Sequence, residues 1–336
     1  MELFIFWTHK GILKLVVFLY NNLTTIFKLK KYFFYILIAF SSSLFSQESS
    51  IIFNRFNLSI FNPAYVGAEG PAINVNSRAQ WLGLSDAPLT NFLIIHLPER
   101  KNASLGFTIQ NDRVFVENKS QVTVDYSYKL QLSNSSYISL GLKAGGRFFN
   151  VDFNNIPRIF NEPNQSLSSP GNYFSPIFGA GLSYISKKAY LGVAVPGLLN
   201  KIGFNQNQKW ELTTRDNTYL HVSGGLYFNL SDKFSINPSL VYRSIPKEPH
   251  LINSIVEMDY NDKFSLGTVY TNNNTMAVFF KLKSKKGFHL GYGYEFPSGS
   301  DRLAIRNSTH EVMLRLELKS KKIEEIHNNI ETQENE

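Results

Sequence analysis

Along most of the chain, apolar and polar residues alternate one by one. In the stretch QVTVDYSYKLQL, Val122, Val124, Tyr126, Tyr128, Leu130 and Leu132 share one face of an extended backbone, while Thr123, Asp125, Ser127, Lys129 and Gln131 share the other. A period of two marks a strand, because successive side chains of a pleated backbone point to opposite sides. The same alternation sets Ile138, Leu140, Leu142 and Ala144 against Ser139, Gly141, Lys143, Gly145 and Arg147. Near the end it sets Val312, Leu314, Leu316 and Leu318 against Met313, Arg315, Glu317 and Lys319. No helical period interrupts it between Ala72 and Lys319. The pattern predicts about fourteen strands of roughly 9 to 12 residues, the length that crosses a bilayer when tilted. They run from 72–80 to 309–319, with one strand expected over 217–230 and another over 234–245. Pro238 lacks an N–H, so the strand that holds it is expected to be bulged or shortened. Glycines in GLKAGGRF, GAGLSY and GYGYEF read as the bends that a closing sheet requires.

The connections sort by length. Every second one is short (PERKN, LSNSS, SKK, SDK, ND, KSKK), and the long excursions at 154–174, 199–216 and 298–308 all fall between them. One rim with tight turns and one with longer loops is the mark of an up-and-down barrel, whereas Greek-key crossovers in a soluble sandwich would not sort loops this way. Hydrocarbon leaves no partner for an open sheet edge, so a spanning sheet must close. An even strand number follows if both chain ends lie on the periplasmic side. The expected fold is therefore all-β, a transmembrane up-and-down antiparallel barrel, with a soluble sandwich as the alternative. Aromatic residues near strand ends, among them Tyr128, Phe148, Tyr227 and Tyr292, suit interfacial girdles, although aromatics favour strands in any setting.

Composition narrows the reading further. The chain has 336 residues, 14% of them aromatic, and no Cys, which excludes a disulfide scaffold. Its net charge of +8 comes from scattered lysines and not from the clustered stripe that binds nucleic acid. Lys28, Lys30 and Lys31 precede the apolar run YFFYILIAF and then SSSLFSQ, which reads as a secretory signal peptide cleaved near Ser46–Gln47. A membrane anchor is the competing reading, but the run is short for a spanning helix. Residues 1–27 lie far upstream for a leader, as though the start were assigned too early. The expected organisation is a leader at 1–46, an N-terminal periplasmic segment at 47–71, the barrel at 72–319 and a polar tail at 320–336. In FNPAYVGAEG, Asn62–Pro63 sets a restricted turn and Gly67 and Gly70 supply unusual backbone angles. The turn is expected at the rim, before the first strand, with Tyr65 docked on the barrel's inner edge.

Reactive constellations are sparse. His96, His221, His250, His289 and His310 show no metal-ligand spacing, and His310 and Glu311 must point to opposite faces of one strand. A lipid hydrolase with Ser and His on neighbouring strands is the sharpest enzymatic reading, but no G-x-S-x-G singles out a serine. The glycines of GLKAGGRF are followed by no helix or Lys-Ser/Thr pair, so they are not a phosphate loop. No enzymatic activity, catalytic residue, cofactor or metal is expected. The predicted lumen face carries Asp125, Lys129, Lys143, Arg147, Arg243, Glu257, Asp259, Lys281, Glu295, Arg315 and Glu317. Mixed signs favour ion pairs and water over a selectivity ring of one sign. Side chains alone do not fill so wide a barrel, so a plug, a narrow channel or a segment of another protein must occupy it.

The order NPAYVGA, RAQWLGLSDAPLT, SLGFTIQNDRV, VTVDYSYKLQL, ISLGLKAG and finally STHEVMLRLEL resembles the PorP/SprF family of the type IX secretion and gliding apparatus of the Bacteroidetes. The resemblance covers roughly 52–319, and its most specific residues are Asn62, Pro63, Ala64, Tyr65 and Gly67, with Gln80, Trp81, Gly83, Ala87 and Pro88. It implies a cell outer-membrane barrel in which these residues are structural or contact partners. The implied surroundings are outer-membrane lipid, type IX secretion components at the periplasmic rim, and a large surface adhesin or other exported protein at the outer loops. A general or solute-specific porin is the alternative.

Overall fold

The computed structural model of the chain describes residues 51–84, 86–151, 173–198, 201–204, 210–213, 219–244, 249–297 and 308–318. The expected leader and cleavage site, the tail from 320 and the excursion at 154–172 lie outside the described residues. The strands are β1 (Ala72–Ala79), β2 (Leu89–His96), β3 (Ala103–Val114), β4 (Glu117–Ser133), β5 (Ser136–Val151), β6 (Tyr173–Ser186), β7 (Ala189–Val195), β8 (Lys201–Phe204) and β9 (Trp210–Thr213). They continue with β10 (Leu220–Leu226), β11 (Phe228–Asn229), β12 (Phe234–Ser244), β13 (Leu251–Tyr260), β14 (Phe264–Thr271), β15 (Thr275–Lys283), β16 (Phe288–Pro297) and β17 (Thr309–Glu317).

Fourteen of these strands close a ring of antiparallel neighbours. β1 pairs with β17 over the full length of β1, and β10 pairs with both β7 and β12. β8 and β9 form a hairpin of their own within the connection at 199–216, where a plain loop was expected, and β11 pairs only with β12. Each is too short to span.

The wall is inside-out relative to a soluble protein. On β4, Val122 is 46% exposed while Asp125, facing the other way, is fully buried. The outward row Val122 to Leu132 on β4 covers ten residue steps, about 34 Å of strand, or about 26 Å of height at the usual barrel tilt. That matches the apolar band of an outer-membrane barrel. Among the described residues no helix is long and apolar enough to cross a membrane.

Two local expectations are corrected. The strand expected over 217–230 breaks at Tyr227, between β10 and β11. Pro238 neither bulges nor shortens β12, which keeps an unshifted register against β13 from Phe234 to Arg243. On its other side, β12 meets β10 only from Ser239 onward and β11 only at Ser235 and Ile236. The missing N–H of Pro238 therefore falls where the neighbouring strand is already interrupted, and no ladder bond is lost.

Candidate functional site

The polar interior raises the question of what fills it, and the answer is the chain's own N-terminal segment. Ile51 to Val66 are buried except for Arg55 and Phe56, which are half-buried. The segment folds as three short turns, a 3-10 turn at Asn54–Asn57, one helical turn at Leu58–Phe61 and a second 3-10 turn at Pro63–Tyr65. The last is encoded locally. Asn62 precedes a proline and is extended, its side-chain oxygen accepts from the Ala64 N–H at 3.0 Å, and Pro63 sits at the first position of the turn. Gly67 follows with φ +77°, which lets the chain turn back towards β1. The segment expected at the rim thus lies among inward-facing wall residues instead.

Its apolar side chains meet the wall on several sides. Ile52 and Phe53 pack with Val241, Ile255, Val269, Ala277, Phe279 and Met313, and Ile51, Ile60 and Phe61 pack with Phe92 and Ile94. Leu58 and Tyr65 pack with Tyr190. These inward apolar wall residues meet the apolar side chains of the plug, so burial of apolar surface drives the docking.

Polar contacts fix its register. Glu311 on β17, fully buried, accepts from the backbone N–H groups of Ile52 (2.9 Å) and Phe53 (3.2 Å), from Asn76 Nδ2 (2.9 Å) and from Arg78 Nη1 (3.3 Å). Arg78 also pairs with Glu295 at 2.7 Å. Asn62 Nδ2 donates to the Leu182 carbonyl at 3.1 Å, and the Ala64 carbonyl accepts from Ser183 Oγ (3.1 Å) and Ser127 Oγ (3.4 Å). Lys143, paired with Asp125 at 2.9 Å, also donates to the Ser59 carbonyl at 3.3 Å, and His96 Nε2 lies 3.0 Å from Ser59 Oγ. Phe61 stacks on His221 at 4.9 Å, with the Arg243 guanidinium 5.3 Å from the ring.

Two glycines clear the socket. A Cβ on Gly141 would lie 2.1 Å from Ala64 N, and one on Gly181 would lie 2.0 Å from Asn62 Oδ1. The plug rests against the bare backbone of β5 and β6 there, so these positions serve close approach and not only the curvature expected of them.

The segment leaves the wall at a charged base. Arg55 pairs with Glu69 at 3.2 Å, and Arg315 donates to the Glu69 carbonyl at 2.7 Å. Burial pushes the Glu69 carboxyl up, but Arg55 and Arg315 outweigh it and hold the group below the usual carboxylate range. Burial likewise raises the Tyr65 phenol, whose oxygen accepts from Ser223 Oγ at 3.1 Å. Two cavities beside the plug measure about 20 and 40 Å³. They suit a water molecule or two, not a solute.

The second group of motif residues lies elsewhere. Gln80 to Pro88 form the loop between β1 and β2, closed by the Gln80 N–H to the Pro88 carbonyl at 2.9 Å, with Trp81 at φ 52° and Gly83 at φ +101°. Ala87 lies within the same loop. β1 separates it from the base of the plug by eight residues, about 26 Å of strand. Asn62, Pro63, Ala64, Tyr65 and Gly67 are thus brought together in the lumen, and Gln80, Trp81, Gly83, Ala87 and Pro88 at a rim.

The expected lumen charges divide in the same way. Asp125, Lys143, Arg243, Glu257, Lys281 and Arg315 are buried, whereas Lys129 pairs with Glu99, and Glu317 with Lys283 and His289, in the exposed zone near the short turns. Glu311, which binds two plug N–H groups, and its wall partner Arg78 are absent from the expected set. Extending the parity of Met313 and Arg315 back by one step would have placed Glu311 inside.

The family described as type IX secretion system membrane protein PorP/SprF matches residues 46–316. Among solved structures, the CymD monoaromatic hydrocarbon channel is similar at 12% identity, with 78% of this chain and 92% of that one covered and a TM-score of 0.47. A TodX channel mutant is similar at 8% identity, with 77% and 93% covered and a TM-score of 0.46. The outer membrane protein Omp33 of Acinetobacter baumannii is similar at 6%, with 74% and 97% covered and a TM-score of 0.44. No curated protein matches the chain.

Proposed function

The chain belongs to the PorP/SprF family of type IX secretion system membrane proteins, and from that premise we propose that it serves export as a self-plugged outer-membrane barrel acting through protein contacts. Its place is the outer membrane. The observation that carries the reading is the occupied lumen. A passive porin needs a continuous water path, whereas here Ile51 to Val66 pack inside the barrel against its inward-facing residues, and the two cavities beside them are of water size. Work done without a solute path falls to the rims. The long-loop rim is the proposed contact for an exported protein or large surface adhesin, and the short-turn rim for periplasmic secretion components. The reading is tested by purifying the chain from its own membranes after cross-linking in cells. Recovery of an exported surface protein or secretion subunits, lost together with surface display when the gene is deleted, supports it. Normal secretion and display in the deletion strain sinks it.

A further inference from the structure

Three neighbouring short turns repeat one arrangement. Lys233 precedes Phe234, Lys263 precedes Phe264, and Lys285 and Lys286 precede Phe288 by one glycine. Phe234, Phe264 and Phe288 face outward at 43%, 40% and 44% exposure, and Phe234 packs against the outward Tyr260 at 4.8 Å. Backbone bonds join each turn to the adjoining turn or strand end. The Asn261 N–H donates to the Lys233 carbonyl at 2.7 Å, the Lys283 N–H to the Lys263 carbonyl at 2.7 Å, and the Glu317 N–H to the Gly287 carbonyl at 2.8 Å. Lys283 pairs with Glu317, but Lys233, Lys263, Lys285 and Lys286 are exposed and make no ion pair among the described residues. The acidic residues interspersed in these turns are Asp232 and Asp262. A fixed row of unpaired cations therefore borders a row of aromatics that ends the lipid-facing band.

We propose that this edge, from Ser231 to Phe288, binds anionic phospholipid headgroups of the phosphatidylglycerol kind in the leaflet at the short-turn rim. Interfacial aromatics lie at headgroup depth, and a lysine beside one lays its methylene stem along the apolar wall and places its ammonium among the phosphates. Two features commit the edge to lipid over an acidic protein. The aromatic row continues the established lipid-facing wall, and the charges are complementary to phosphodiesters at that depth. The test uses the full chain reconstituted in vesicles of phosphatidylcholine mixed with phosphatidylglycerol, extracted gently, and its retained lipid counted by native mass spectrometry. Wild type is expected to retain phosphatidylglycerol preferentially. The preference should fall about fivefold for each lysine removed in Lys233→Gln, Lys263→Gln, Lys285→Gln and Lys286→Gln, and collapse in high salt. The single variants keep the test alive if the combined one does not fold. Equal retention of the two lipids by wild type, or a folded fourfold variant that keeps the preference, overturns the proposal. So does capture of polyglutamate without lipid preference, which would give the edge to an acidic protein.

Discussion

Replacing Glu311 with Gln probes the plug at its strongest polar anchor. The carboxylate receives four donors, two of them backbone N–H groups of the plug, at 2.9 to 3.3 Å in a fully buried setting. A glutamine keeps the shape but turns one acceptor into a donor and removes the charge facing Arg78. Breaking a buried charge pair from one side costs about 3–5 kcal/mol. Arg78 belongs to the wall and retains Glu295 at 2.7 Å, so we expect less than that range, about 2–4 kcal/mol, to appear as plug release. At about 1.4 kcal/mol per factor of ten, release becomes roughly 30- to 700-fold more frequent. The chain has no Cys, so Ile60→Cys places a single thiol on a buried plug residue in either background. Labelling by a soluble maleimide should be slow with Glu311 and faster by that factor with Gln, while heat-modifiable gel mobility shows the barrel still folded. Equal labelling rates in two folded proteins would refute the anchoring role.

Other perturbations follow from the same contacts. Gly141→Ala sets a Cβ against the backbone of Ala64, which cannot rotate away, and should cost about 1–3 kcal/mol of plug docking in the same labelling assay. Asn62→Ala removes the bond to the Leu182 carbonyl and the cap on Ala64, and about 1–3 kcal/mol of faster labelling is expected. The lowered Glu69 carboxyl contributes stability that is present above its unfolded value and lost as pH falls through the folded one. Plug release should therefore rise on acidification below the usual Glu range, and Glu69→Gln should flatten that rise; the partly exposed pair limits the effect to about 0.5 kcal/mol. Pro63→Ala with Tyr65→Ala should lower the amount of folded, heat-modifiable barrel; normal levels with lost secretion would make NPAYVG a partner contact instead.

The barrel was legible because a wall between lipid and a polar interior enforces strict alternation. Val122 to Leu132 announce one face and Thr123 to Gln131 the other without reference to any distant residue. The even count and the sorted turns follow from closure. The plug was not legible, for three physical reasons. IIFNRFNLSIF has apolar residues with no sustained period, since it folds as separate short turns. Its anchors lie far off in sequence, Glu311 being 259 residues from Ile52. A glycine within a strand reads alike whether it permits a bend or clears room for Asn62, as Gly181 does. The NPAYVG turn itself was read correctly, down to the extended Asn62 and the left-handed Gly67, because its geometry is local. Its address was not, because that depends on fourteen strands closing around it.

The claim on which the rest depends is that residues 51–66 close the lumen. Conductance of the purified full chain in planar lipid bilayers tests it most directly, with the Glu311→Gln variant measured beside it. The account predicts no steady current for wild type and intermittent openings for the variant. A steady, solute-sized conductance from the folded wild-type protein would contradict it and return the barrel to the porins.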